Sequence, residues 1–220
     1  MNNKNKIYII VLVTLILLIF GSAFIYDKYF NNIKTNLSNE EIIINKKIDN
    51  KNIPYINISE DEVNLKVQEI YKKYNDYNSS YDYYINNNTL SLVIKFSNKE
   101  ETIYKTYNID TDSKKEISNN ELLKNNNIDE NVSSLLESIF DNELTNSGLL
   151  NKYRRTHMYG DGFTSIYDAS IMIFDSIRID DSNMYLNKDN EVCLISKIYD
   201  PNSNKYIDKI FNLSTKSYEK

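Results

Sequence analysis

Tryptophan is absent from this 220-residue chain, which has only one cysteine, one histidine, two prolines and four glycines. A single cysteine, Cys193, excludes an intrachain disulfide. Together with the lone His157 it falls short of the three or four nitrogen and sulfur ligands of a zinc site. No basic cluster with interleaved aromatics occurs, and the net charge is −5, so nucleic acid is not an expected partner. No nucleophile-elbow pattern and no internal repeat is present, so nothing singles out a serine to pair with His157. The chain has 31 acids, but none is marked as a catalytic pair, and no catalytic residue, metal or cofactor is assigned.

What is abundant is tyrosine, at 19 residues, with much asparagine, isoleucine and lysine. These four share AT-rich codons, so the bias reads as genome composition. The Asn-x-Ser/Thr triplets, Asn57-Ile58-Ser59 and Asn212-Leu213-Ser214 among them, read as chance products of it. Scarce cysteine fits an exported protein of a Gram-positive-like bacterium.

Residues 7–26, Ile7 to Tyr26, form an uncharged apolar run. Twenty helical residues span about 30 Å, the thickness of a bilayer core. Lys4 and Lys6 precede the run and Asp27 follows it, which predicts a cytoplasmic N-terminus and an outside C-terminus. Gly21-Ser22-Ala23 leaves a cleaved signal peptide as the alternative, and either reading places the main domain outside the cell. The expected organisation is a cytoplasmic tail (1–6), a single transmembrane anchor (7–26), a stalk or linker (27–52) and an extracytoplasmic domain (53–220).

Within the stalk, Glu41–Ile48 is a possible strand. Pro54–Ile58 alternates like a short one. Ser59-x-x-Glu62 is a capping-box pattern ahead of Val63, Val67, Ile70 and Tyr74, predicting a helix over Glu60–Asn75. Ser80–Ile85, Thr89–Ser97 and Glu101–Ile109 read as strands joined by short turns, an antiparallel meander. Asp110–Lys114 reads as a solvated turn, because it lacks the glycine and closing glutamate of a calcium loop. Ser118–Lys124 is expected to be one or two helical turns, and Asp129–Leu144 an amphipathic helix. Thr145–Thr164 carries no clear period, and the apolar positions of Ile166–Ile179 fit neither a helix nor a strand. Asn183–Leu186, Glu191–Tyr199 and Lys205–Leu213 form a second meander. The expected fold class is α+β, with a mainly antiparallel sheet and packed helices after one N-terminal transmembrane helix. In this scheme Cys193 is a small buried residue of a strand.

The order of these signals resembles the extracytoplasmic domain shared by RsiV-type, lysozyme-sensing anti-sigma factors and the region ahead of the deacetylase in PdaC-like peptidoglycan deacetylases. The resemblance rests on Ile53-Pro54-Tyr55-Ile56-Asn57-Ile58 with the helix ending Gln68-Glu69-Ile70-Tyr71, on Leu90-Ser91-Leu92-Val93-Ile94, and on Thr106-Tyr107-Asn108-Ile109-Asp110 followed by Lys114-Lys115-Glu116-Ile117-Ser118 and Glu121-Leu122-Leu123. It covers roughly Ile53 to Leu144, and Met184-Tyr185-Leu186 fits the family's later part. Ser97-Asn98-Lys99-Glu100 replaces the glycine- and histidine-containing loop common in that family. No cytoplasmic anti-sigma segment and no deacetylase domain accompanies the match. The resemblance implies a sensor-like or cell-wall-facing binding domain on a tether, with a lysozyme-like protein or peptidoglycan glycan as ligand. A non-catalytic structural envelope protein is the alternative, and a cell-wall enzyme comes third.

Two groups compete for a binding role. Tyr153–Phe163 holds two of the three arginines and two of the four glycines, and Arg, Tyr and Phe are common interface anchors. Arg154, Arg155, Tyr159 and Phe163 are the ligand-contact candidates. The tyrosines Tyr71, Tyr74, Tyr77, Tyr81, Tyr83 and Tyr84 could stack on sugars, but a half-buried packing role is the preferred reading.

Overall fold

The structure, a computed structural model, describes residues 42–48, 51–58, 61–86, 88–159 and 162–219. The predicted tail and anchor, and most of the stalk, lie outside the described residues. Among the described residues no helix is long and apolar enough to cross a membrane. The chain divides into two compact units, residues 1–45 and 46–220. Of the first only residues 42–45 are described, and they hold the start of strand β1 (Ile43–Ile48).

The second unit is α+β with antiparallel sheets. Strand β2 (Lys51–Ile56) leads to helix α1 (Asp61–Lys73). The predicted cap, Ser59, lies outside the described residues. Asn64 fastens this helix to the strand: its Oδ1 accepts from the Ile56 N–H at 2.8 Å and its Nδ2 donates to the Ile56 carbonyl at 2.9 Å, both buried. Strands β3 (Asn78–Asn86), β4 (Thr89–Ser97) and β5 (Thr102–Asp110) then form the predicted meander. Leu90, Leu92, Ile94 and Phe96 are fully buried on one face of β4, as its alternation requires. Tyr71 meets Phe96 edge-on at 5.0 Å, and Tyr74 lies 5.1 Å from the same ring.

Helix α2 (Asn119–Asn125) starts from a complete capping box between Ser118 and Glu121. Helix α3 (Val132–Asn146) is capped by Asn131 and buries Val132, Leu135, Leu136, Ile139, Phe140 and Leu144, the predicted apolar face. The stretch without clear period resolves into a short helix α4 (Leu150–Tyr153) and a hairpin of β6 (Thr156–Tyr159) with β7 (Gly162–Ser165). Ile166–Asp175 is helix α5, opened by a capping box between Ser165 and Asp168. Strands β8 (Asn183–Leu186), β9 (Val192–Asp200), β10 (Lys205–Asn212) and the two-residue β11 (Ser217–Tyr218) form a sheet ordered β11-β10-β9-β8. Asn190 and Asn204 take positive φ in its turns, where asparagine is tolerated better than most residues.

The register sorts this second sheet into two apolar faces. Met184, Leu186, Val192, Leu194, Ile198 and Phe211 pack against α3 and α5. There Phe140 contacts Tyr153, Tyr167 and Phe174, each at 5.6 Å, and Phe174 meets Phe211 at 5.4 Å. Tyr185, Cys193 and Ile195 face the other way, onto Tyr84, Val93 and Tyr104 of the first sheet. The unit is therefore layered: α1, the β3–β5 sheet, the β8–β11 sheet, then α3 and α5.

Two buried side chains join the sheets. Ser91 Oγ donates to Asn108 Oδ1 at 2.6 Å and accepts from the Leu186 N–H at 2.9 Å. Asn108 Nδ2 donates to the Met184 carbonyl at 3.0 Å. These bonds occupy the Met184 carbonyl and the Leu186 N–H on the outward side of β8, which has no strand partner there among the described residues.

Candidate functional site

Helix α5 is apolar on two faces. Ile166, Ser170 and Phe174, four residues apart, turn into the core. Ala169, Met172 and Ile173 turn outward toward Tyr199 and Tyr206 of the β9–β10 hairpin, and these residues, with the edge of Ile166, line a cavity of about 450 Å³. Met172 is 67% exposed and Tyr206 53%, and they face the cleft from its two sides. The two tyrosine rings meet edge-to-face at 5.1 Å, which fixes the aromatic side of the cleft. Among the described residues the lining is mostly apolar and holds no carboxylate, imidazole or amine. It offers dispersion and desolvation, with the hydroxyls of Ser176, Tyr199 and Tyr206 as its polar groups.

A second groove, of about 560 Å³, adjoins it and shares Ile173 and Tyr206. Its walls are Thr102, Tyr104 and Lys105 of β5 on one side and Ile195, Lys197 and Asp208 on the other. Lys197 and Asp208 are paired at 2.9 Å. The cleft is thus apolar at the helix end and polar along the strand.

The residues predicted to bind fall on α4's C-terminal end and on the β6–β7 hairpin that follows it. The Arg154 guanidinium is bound within the domain: it donates to Asp141 Oδ1 at 2.9 Å and lies 4.9 Å from the Tyr167 ring, and the Tyr167 hydroxyl donates to the same carboxylate at 3.2 Å. This pins α4 to α3 and α5, so Arg154 acts as a local tie. Arg155 is exposed at the foot of the β6–β7 hairpin. Tyr159 and Phe163 belong to that hairpin, with Tyr159 opposite Gly162 and Phe163 opposite Met158. His157 lies opposite Thr164 on the same hairpin.

The remaining candidates are structural. Tyr71 is buried, and Tyr74, Tyr77, Tyr81, Tyr83 and Tyr84 are half-buried, in keeping with the packing reading. Asp110 closes a turn by accepting from the Ser113 N–H at 2.6 Å. The Cys193 thiol is buried and donates to Glu219 Oε2 at 3.0 Å, and burial pushes its pKa far up. Asn187 Nδ2 donates to Glu191 and Glu219, each at 3.0 Å, and Asn212 Nδ2 to Glu191 at 2.7 Å. These amides hold the Glu191 carboxyl below its ordinary range. The result is a satisfied network at one end of the sheet. Among the described residues no group of three or more His, Cys, Asp or Glu is placed to hold a metal ion. Comparison with protein-family models, with the curated proteins and with the solved structures found no match.

Proposed function

We propose that the chain is a membrane-tethered binding module of the bacterial cell envelope. Residues 7–26 anchor it, its N-terminus is cytoplasmic, and its α+β domain stands outside and takes a protein partner in the cleft of α5 and the β9–β10 hairpin. The observation that carries this reading is the apolar cleft in which Met172 and Tyr206 are exposed beside the half-buried Ile173 and Tyr199. Large exposed apolar groups gathered in one concavity mark interaction sites more often than scattered ones do. Tyrosine and methionine are frequent anchors at such sites. A glycan would need several polar groups aimed at its hydroxyls, and the lining supplies few, so protein is favoured over peptidoglycan.

The sequence resemblance to a lysozyme-sensing domain points the same way and makes lysozyme the first probe. Arg155, Tyr159 and Phe163 keep a place in the proposal, since the β6–β7 hairpin runs directly into α5. Arg154 serves by holding α4 in place.

The test measures binding of the full chain, in mild detergent, to lysozyme and to purified peptidoglycan. Met172→Asp with Tyr206→Asp should weaken lysozyme binding at least tenfold, as loss of two buried anchors does. Equal binding by the variant refutes the cleft, and no binding of lysozyme by the wild type refutes the lysozyme-like partner. An externally added protease should remove a C-terminal tag in intact cells, and a protected tag refutes the topology.

A further inference from the structure

Strand β5 ends the sheet ordered β3-β4-β5, so one of its sides faces away from β4. Which residues present their backbone on that side follows from two hydrogen bonds. The Ile117 N–H donates to the Asn108 carbonyl at 2.7 Å, and the Asp110 N–H donates to the Lys115 carbonyl at 2.9 Å. Even-numbered residues of β5 therefore point outward and odd-numbered ones pair with β4. The chain already uses this edge once. Glu116 bridges Ile109 in antiparallel sense, so segment 115–117 is a short strand laid on the C-terminal end of β5.

That covering stops at Asn108. Among the described residues no backbone group is hydrogen-bonded to the outward side of Thr102, Tyr104 or Thr106. These three present N–H and C=O groups at a repeat of about 6.8 Å, twice the strand rise. The stretch has no proline. Open edges of this kind are usually blunted, and β8, where Ser91 and Asn108 take up the Leu186 N–H and the Met184 carbonyl, shows a blunted case. The space beside β5 is open as well. The 560 Å³ groove runs along Thr102–Lys105, and a second of about 590 Å³ runs along Lys105–Asn108 beside Asp180–Asn183.

We propose that the 102–106 edge of β5 takes an extended segment of a partner protein as an added antiparallel strand, in line with segment 115–117. Backbone bonds to Thr102, Tyr104 and Thr106 supply register, and one apolar side chain of the segment enters the cavity of Met172, Ile173 and Tyr206, which the groove adjoins. Only a polypeptide carries donors and acceptors alternating at this repeat, which selects the class of occupant. This deepens the binding-module reading and rests on it.

The experiment pans a phage-displayed random nonapeptide library on the full chain in detergent and synthesises the selected peptides. Thr106→Pro removes an outward N–H and leaves the β4–β5 ladder bonds in place, since proline is tolerated on the open side of an edge strand. Selected peptides should lose at least tenfold in affinity against Thr106→Pro. Amide exchange of Thr102, Tyr104 and Thr106 in the wild type should slow on peptide binding, and this second readout stands if the proline variant does not fold. Peptides that bind with no change in exchange at these three amides overturn the proposal, as does a library that yields no binder. Edge protection in the wild type alone, with a dimer that Thr106→Pro makes monomeric, assigns the edge to a second copy and also overturns it. If lysozyme binding is lost in the Met172→Asp/Tyr206→Asp variant but the edge amides never respond, the cleft reading stands and the strand addition fails.

Discussion

Replacing Asn108 by alanine tests whether the two sheets are held by directed bonds or by apolar contact alone. Asn108 is 2% exposed and Ser91 is fully buried, and together they reach Met184 and Leu186 across the interface. Asn108→Ala leaves the buried Met184 carbonyl without its donor and the Ser91 O–H without its acceptor. Each orphaned group costs about 1–3 kcal/mol, so the variant should lose about 2–5 kcal/mol. That is a large share of the roughly 5–15 kcal/mol by which domains are stable. Ser91→Ala orphans the Leu186 N–H and the Asn108 Oδ1, and should cost about as much. The double variant orphans only the Met184 and Leu186 groups, so it should lose less than the sum, with a coupling of about 1 kcal/mol or more. The assay is urea unfolding of the 46–220 unit followed by circular dichroism. With a slope of about 2 kcal/mol/M, each single variant should lower the midpoint by about 1–2.5 M. Ser80→Ala, at an exposed position of β3, is the control and should stay within about 0.5 kcal/mol. Single losses below about 1 kcal/mol, or strict additivity, would show that the bonds do not join the sheets.

Burial pushes the pKa of Tyr71 up to about 12, and burial reinforced by Glu116 does the same for Tyr107. The unfolded chain sheds these protons first, so their contribution is complete below about pH 10 and is lost as pH rises to about 12. Thermal unfolding should therefore fall steeply across that window, less so in Tyr107→Phe, and an equally steep fall in that variant would count against the assignment. The Cys193 thiol should resist a disulfide reagent in the native chain and react at once in denaturant; fast native labelling would contradict its burial. Ser165→Ala removes the cap of α5 and should cost about 1 kcal/mol, measured by urea unfolding, and a neutral effect would mean that packing alone places the helix.

Most of the elements were legible because local chemistry and tertiary need agree in them. Thr89–Ser97 alternates cleanly and is β4 with those ends. Val132–Leu144 shows a helical face that is the buried face of α3. Ser118-x-x-Glu121 forms the capping box at the start of α2. The stretch 145–164 was opaque because it holds a four-residue helix and a hairpin of four-residue strands, too short for any period to show.

Helix α5 is the instructive failure. Ile166–Ile179 fitted neither period because the segment is apolar on two sides, one packed against Phe140 and Phe211 and the other lining the cleft. A helix at the surface of a domain needs only one apolar stripe. Here the second stripe is only partly used by the core: Ile173 packs against it while Met172 is left 67% exposed. The start of α5 is a Ser165–Asp168 capping box, in which aspartate performs the role that glutamate has in the commoner pattern. The opposite wall could not be read in this way. Tyr206 stands in an alternating strand and looks like any half-exposed tyrosine. The groove exists because β5 and β10, about a hundred residues apart in sequence, are brought to either side of it by the Ser91–Asn108 bonds. Arginine content drew the sequence reading to Arg154, yet the nearby Asp141 and Tyr167 take up its guanidinium. Contacts between residues distant in sequence thus give Arg154 partners within the domain and bring together a cleft from residues that carry no motif.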